Sequence, residues 1–242
     1  MRFRSLLAFW VAVSTACGVD FAQAIPSHCG QVVLVTARDW VASTGTLRRL
    51  ERSNAQTRWK EVGLPVVVLL GRHGLAWGLG LHLVPSEDGP QKVEGDGRAP
   101  AGVFDFGTVF GRAAPGQLPW LRMPYLQLTP TTEAVDDSAS RYYGEIVNRA
   151  EVGHPDWKSS EHMGLIKSYE FGIVIAHNPQ HVMRAGSCIF LHVWLDERDG
   201  TSGCTALHRA DLEALLRWLN AAKHPVLVQL PAKVARESFG KF

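Results

Sequence analysis

Ser187-Cys188-Ile189-Phe190-Leu191-His192-Val193-Trp194, followed closely by Gly200-Thr201-Ser202-Gly203-Cys204-Thr205, is the stretch that decides the fold. The first block is rich in β-branched and aromatic residues and predicts a strand. Successive strand side chains point to opposite faces. Ile189, Leu191 and Val193 therefore share a side suited to a core, and Cys188, Phe190, His192 and Trp194 share the other. A histidine on the less aliphatic side is placed to line a cleft. The second block is a turn of small residues, expected to open a helix. A cysteine at a helix start feels the positive end of the dipole, which lowers its pKa. A neighbouring imidazole lowers it further and can take the proton. Gly203 lets the backbone approach a substrate carbonyl, and the amides around Cys204 are candidate oxyanion donors. The pattern predicts thiol acyl transfer, with Cys204 as nucleophile and His192 as base.

Working outward, residues 31–37, 65–70 and 171–177 are apolar runs that predict buried strands. Residues 46–52 and 57–62 predict half-exposed strands, 71–80 a hairpin or wide loop, and 95–102 a tight turn leading into a strand at 103–106. Leu212, Leu215, Leu216 and Leu219 fall on one face of a helix opened by Asp211 and Glu213 and stopped by Pro225, with a last strand at 226–230. Residues 112–165 are polar and Pro-rich, with few strand signals, and predict a long lid or binding loop. No repeat or linker interrupts the chain. The fold class expected is mostly β, one domain over residues 25–242 with one or two short helices.

Composition sets the outer bounds. The chain has 242 residues, 46% hydrophobic and 20% charged, with a net charge of +2, which excludes a disordered tail, a collagen-like rod and a coiled coil. Near-neutral charge without a Lys/Arg run argues against nucleic acid or an anionic membrane surface as partner. Met1-Arg2-Phe3-Arg4, the apolar run from Leu6 to Val19 and Ala22-Gln23-Ala24 together predict a signal peptide over residues 1–24, and hence a periplasmic or secreted protein. Lipid anchoring at Cys17 ranks below simple secretion, because Ser14 stands where Leu is usual. No later segment is apolar enough to span a bilayer. Cleavage leaves Cys29, Cys188 and Cys204, an odd number, so at least one thiol stays unpaired within a monomer. Pairing of Cys29 with Cys188 is left open. A zinc site from Cys188, His192, Cys204 and His208 fails, because positions i and i+4 on a strand lie about 13 Å apart. Serine chemistry lacks a G-x-S-x-G motif.

The His-bearing strand and the Thr201-Ser202-Gly203-Cys204 turn resemble the L,D-transpeptidase catalytic domain, or YkuD domain, whose signature is a His strand followed by [S/T]-x-G-C and a short helix. Residues 95–104 resemble the family's G-x-x-x-T-P-x-G-x-F loop with Ala99 in place of Thr, residues 169–178 its central strand, and residues 185–192 its approach to the histidine. Val135-Asp136-Asp137, Ser140, Tyr142-Tyr143 and residues 156–161 resemble a single-domain, exported subgroup. Three positions depart from the pattern: Ser202 where His is common, Val193 where Gly is usual, and Ala206 where an Arg thought to hold the substrate is usual. The resemblance implies a β-sandwich catalytic domain, peptidoglycan stem peptides as partners, and no metal or cofactor. It implies attack by Cys204 on a stem carbonyl to give a thioester, resolved by the amine of a second stem. His192 would be oriented by a backbone carbonyl. A cysteine hydrolase on the same scaffold is the alternative, with water resolving the thioester. A non-catalytic wall-binding module is disfavoured by the intact Cys204/His192 pair. Ser202, Thr201, Tyr143, Trp157 and Arg98 are the candidate substrate-binding residues, and Glu161 could line the same cleft. For Tyr143 and Trp157 the competing role is anchoring the loop. For Arg98 it is an ion pair with Asp96 or Asp105, since a guanidinium suits bidentate pairing. His177, at the end of a core strand, is expected to be structural.

Overall fold

The computed structural model describes residues 21–85, 89–196 and 200–239. Most of the expected signal peptide, and Cys17 with it, lies outside the described residues. In chain order the strands are β1 (Gln31–Ala37), β2 (Thr44–Glu51), β3 (Lys60–Glu61), β4 (Val66–Leu69), β5 (Leu75–Trp77), β6 (Ala99–Gly111), β7 (Tyr125–Gln127), β8 (Thr132–Val135), β9 (Ile146–Asn148), β10 (Ser160–His162), β11 (Phe171–Ile175), β12 (Phe190–Val193), β13 (Thr205–Leu207) and β14 (Val226–Pro231). The α-helices of the described residues are α1 (Arg209–Trp218) and α2 (Ala232–Phe239).

The main sheet runs β1-β14-β6-β11-β12-β13-β4-β2, and β2 pairs back onto β1, so the sheet closes on itself. Closure leaves these strands without free edges. β3, β5 and β7 attach at its flanks. Val33, Val35, Leu47, Val68, Leu191 and Val228 are fully or almost fully buried in the resulting core. α1 closes over it with Leu212, Leu215 and Leu216, the stripe expected from the leucine spacing. The mostly β class is as expected, with a barrel- or sandwich-like core.

Residues 112–165 depart from the expected loop. They hold β7 and a separate antiparallel sheet in the order β10-β8-β9. Its polar residues satisfy one another. The Glu133 side chain, 1% exposed, accepts hydrogen bonds from Trp157 Nε1 at 2.7 Å, Ser160 Oγ at 2.8 Å and Arg149 Nη1 at 3.2 Å. The polar, Pro-rich composition of this stretch carried few strand signals.

Phe21 is buried, stacked on Trp77 with ring centroids 5.1 Å apart and nearly parallel. A cut after Ala24 would take this ring out of the core. Cys29, Cys188 and Cys204 are free thiols, and Cys29 is buried with its thiol donating to the Gln31 carbonyl at 3.2 Å. No helix among the described residues is long and apolar enough to cross a membrane.

Candidate active site

β12 and β13 lie parallel, with Leu191 opposite Thr205 and His192 opposite Ala206. Cys204 directly precedes β13 and falls level with Phe190, whose amide donates to Cys204 Sγ at 3.3 Å. His192 lies two residues further along β12, about 6.6 Å at the rise of a strand. The two faces sort as the alternation requires. Ile189, Leu191 and Val193 belong to the main core, while Phe190 joins Cys204, Tyr169, Phe110 and Met163 in a second cluster. The His192 ring meets Tyr169 edge-on at 5.2 Å. Cys204, His192, Thr201, Ser202, Glu161, Tyr169 and Ala206 line one cleft of about 350 Å³.

His192 Nδ1 lies 2.8 Å from the Val193 carbonyl oxygen. A carbonyl only accepts, so Nδ1 carries the proton and Nε2 keeps a lone pair. Burial pushes the imidazole below its ordinary value of 6.5, against a smaller pull from that carbonyl. It is neutral near pH 7 and able to accept a proton.

The expected helix start at Cys204 is absent. The chain enters β13 after Cys204, and α1 opens only at Arg209, capped by the His208 side chain, too far on for its dipole to act within the first turn. Burial instead pushes the Cys204 thiol up to about 12, aided by the Glu161 charge, while the Phe190 amide, Lys92 and Tyr169 pull the other way. At rest Cys204 is a thiol. Its Sγ lies 3.6 Å from the Cys188 carbonyl oxygen. Cys188 itself adopts φ +53°, a left-handed conformation that costs about 1–3 kcal/mol for a residue with a side chain.

The loop before Cys204 is braced by Thr201. Its hydroxyl donates to the Cys204 carbonyl at 2.6 Å and accepts the Gly203 amide at 3.1 Å. Its own amide donates to the Leu70 carbonyl at 2.8 Å, tying the loop to the end of β4. Gly203 has φ +153°, and a Cβ there would sit 3.2 Å from the Arg98 carbonyl oxygen, so the position suits glycine. Because the Gly203 amide is already bonded to Thr201, the expected pair of oxyanion donors reduces to the amide of Cys204. Ser202 Oγ accepts from Arg72 Nη1 at 3.1 Å at the rim.

Three candidate substrate-binding residues lie outside the cleft lining. Arg98 is spent on the carbonyls of Trp40 and Leu75, at 3.2 and 3.0 Å, while Asp96 pairs with Lys92 at 2.6 Å. Tyr143 is buried, donating to Glu94 Oε2 at 2.5 Å and accepting the Gly186 amide at 3.1 Å. Trp157 is buried against Glu133. Tyr143 thus ties the 112–165 segment to the rest of the fold, while Trp157 braces it internally against Glu133, Tyr142 and Arg149. His177 is structural as expected, with Nδ1 accepting the Leu79 amide, Nε2 facing the Ala185 carbonyl, and burial lowering it to about 4. Tyr169 was missed by sequence reasoning. Its hydroxyl donates to Glu161 Oε2 at 2.5 Å, and nothing in the spacing of residues 161 and 169 signals that contact.

A neutral thiol sharing a cleft with a neutral, oriented imidazole suits a step in which proton transfer accompanies attack on a carbonyl. A family model, the YkuD L,D-transpeptidase catalytic domain, matches residues 40–228. No curated protein and no solved structure matches the chain.

Proposed function

The chain belongs to the YkuD family of L,D-transpeptidase catalytic domains, and from that premise we propose that Cys204 forms a thioester with a peptidoglycan stem peptide. The observation that carries this is the shared cleft of Cys204 and His192, with His192 Nδ1 held by the Val193 carbonyl and Nε2 left to accept. As Sγ bonds to the stem carbonyl carbon, the thiol proton passes to Nε2. The carbonyl electron pair moves to oxygen, where the Cys204 amide stabilises it. Collapse of this intermediate breaks the peptide C–N bond. The amine leaves with the proton from His192, and the thioester remains. An amine from a second stem then attacks the thioester carbonyl, gives its proton to His192, and expels the Cys204 thiolate, which recovers that proton. Thr201 holds the loop in place throughout. The proposed substrate and the signal peptide expected from residues 1–24 support action outside the cytoplasm, in the periplasm or beyond the cell.

Incubation with purified sacculi and analysis of the released muropeptides tests the proposal. The expected result is new crosslinked dimers with the native chain and none with Cys204→Ala. Shortened stems without dimers would replace transpeptidation by hydrolysis at the same thiol. Full activity in Cys204→Ala would remove the nucleophile from its role.

A further inference from the structure

We propose that Glu161 determines substrate specificity in this cleft by receiving a primary ammonium group of the substrate bound at Cys204. The proposal rests on the assignment of Cys204 as nucleophile. β10 alternates across its two faces: Ser160 and His162 both reach Glu133, and Glu161 between them turns the other way, into the cleft with Cys204 and His192. The two acids are provided for differently. Glu133 has the Arg149 guanidinium at 3.2 Å and His162 at 3.3 Å. Glu161 has the Tyr169 hydroxyl at 2.5 Å, and no basic side chain within ion-pair distance among the described residues.

Among the described residues the cation at the cleft rim, Arg72, is held by Ser202 Oγ at 3.1 Å. The other groups around Glu161 are Asp136 and Glu94, of like charge, and the thiols of Cys188 and Cys204, with neutral His192 and the acid Asp196 also lining the cleft. Lys92, the nearest base to act on Cys204, is held by Asp96. No lysine or arginine among the described residues lines the cleft, and Ala206 occupies the wall where the family resemblance expects a guanidinium. Burial pushes Glu161 up to about 7. A carboxyl removed from water and given one neutral donor is short of a counter-charge, which an ammonium on the substrate supplies. Docking there would also screen the Glu161 charge that disfavours the thiolate at Cys204.

The charge selectivity of small electrophiles at Cys204 tests this without any turnover of peptidoglycan. The full chain is modified separately with 2-bromoethylammonium and iodoacetate, and the rates at Cys204, read by peptide mass spectrometry, are divided by those of 2-mercaptoethanol. At pH 8.5 the normalised preference for the cation over the anion should be about tenfold in the native chain. It should fall to near unity in Glu161→Gln. In the native chain it should also fade as pH drops from 8.5 to 5.5, because Glu161 becomes protonated. Taking a ratio cancels any change in thiol ionisation. Equal ratios in native and Glu161→Gln proteins overturn the proposal. Should Glu161→Gln not fold, a ratio independent of pH in the native chain overturns it equally. Failure of the thioester assignment reads differently: sacculi stay unchanged while the charge preference persists.

Discussion

Cys204 rests as a buried, protonated thiol, and the proposed chemistry takes its pH dependence from that state. With the thiol pushed up to about 12, the thiolate fraction rises tenfold per pH unit across the usable range. Alkylation of Cys204 by iodoacetamide should therefore climb with that slope from pH 6 to 9 without levelling. A plateau near neutrality would reveal a thiolate–imidazolium pair and refute the neutral-pair mechanism. His192→Gln should leave this slope in place yet slow thioester formation by about 10²–10⁴-fold, the usual cost of losing a general base. Stopped-flow or quenched acylation with a stem tetrapeptide measures the difference. Much at this scale was legible: period two placed Phe190 and His192 on the cleft side, and the Gly-Cys turn marked the thiol. The direction of the thiol shift was not, because it depends on burial by Tyr169, Phe110 and Met163 from distant elements and on a short strand intervening before α1.

The small sheet of β8, β9 and β10 hangs on Glu133. Burial alone would raise this carboxyl, but hydrogen bonds from Ser160, Trp157 and Arg149, with the Arg149 charge, outweigh it and hold the group below its ordinary 4.5. A depressed carboxyl contributes stability that is complete above its ordinary value and lost as pH falls through the folded one. The sheet should thus loosen below about pH 4.5 while the main sheet persists. Glu133→Ala strands the buried Trp157 N–H and should cost about 1–3 kcal/mol. The half-exposed Arg149 pair adds little, being screened by solvent. Hydrogen exchange at residues 132–135 and 160–162 should accelerate with exchange in β1 and β14 unchanged; uniform acceleration would mean the sheet unfolds only with the whole. This sheet escaped the sequence because its strands are three or four residues long and its stabilising acid is a residue type that reads as exposed. The runs that became β1 and β14 were legible because they are long, Val-rich and, apart from half-buried Thr36, buried.

For the molecule as a whole, the N-terminal segment raises a question of boundaries. Phe21 is 2% exposed on Trp77, three residues ahead of the expected cut. Burying such a ring is worth about 1.5–3 kcal/mol. A chain beginning at Phe21 should therefore unfold at higher urea than one beginning at Ile25, and identical midpoints would show the stack to be dispensable. Pairing of β1 with β14 has a further consequence, for the order of events in making the protein. Val32 meets Val226 from the opposite end of the chain, and β14 stands between β1 and β6 in the ring. A chain synthesised or threaded through a channel from its N-terminus presents β1 when only β2 is soon available to it. The gap in the ring waits for residues 226–231 to arrive, and loop closure over that span is slow. A nascent chain halted before residue 226 accordingly carries Cys204 and His192 on paired β12 and β13 while the ring behind them is still open.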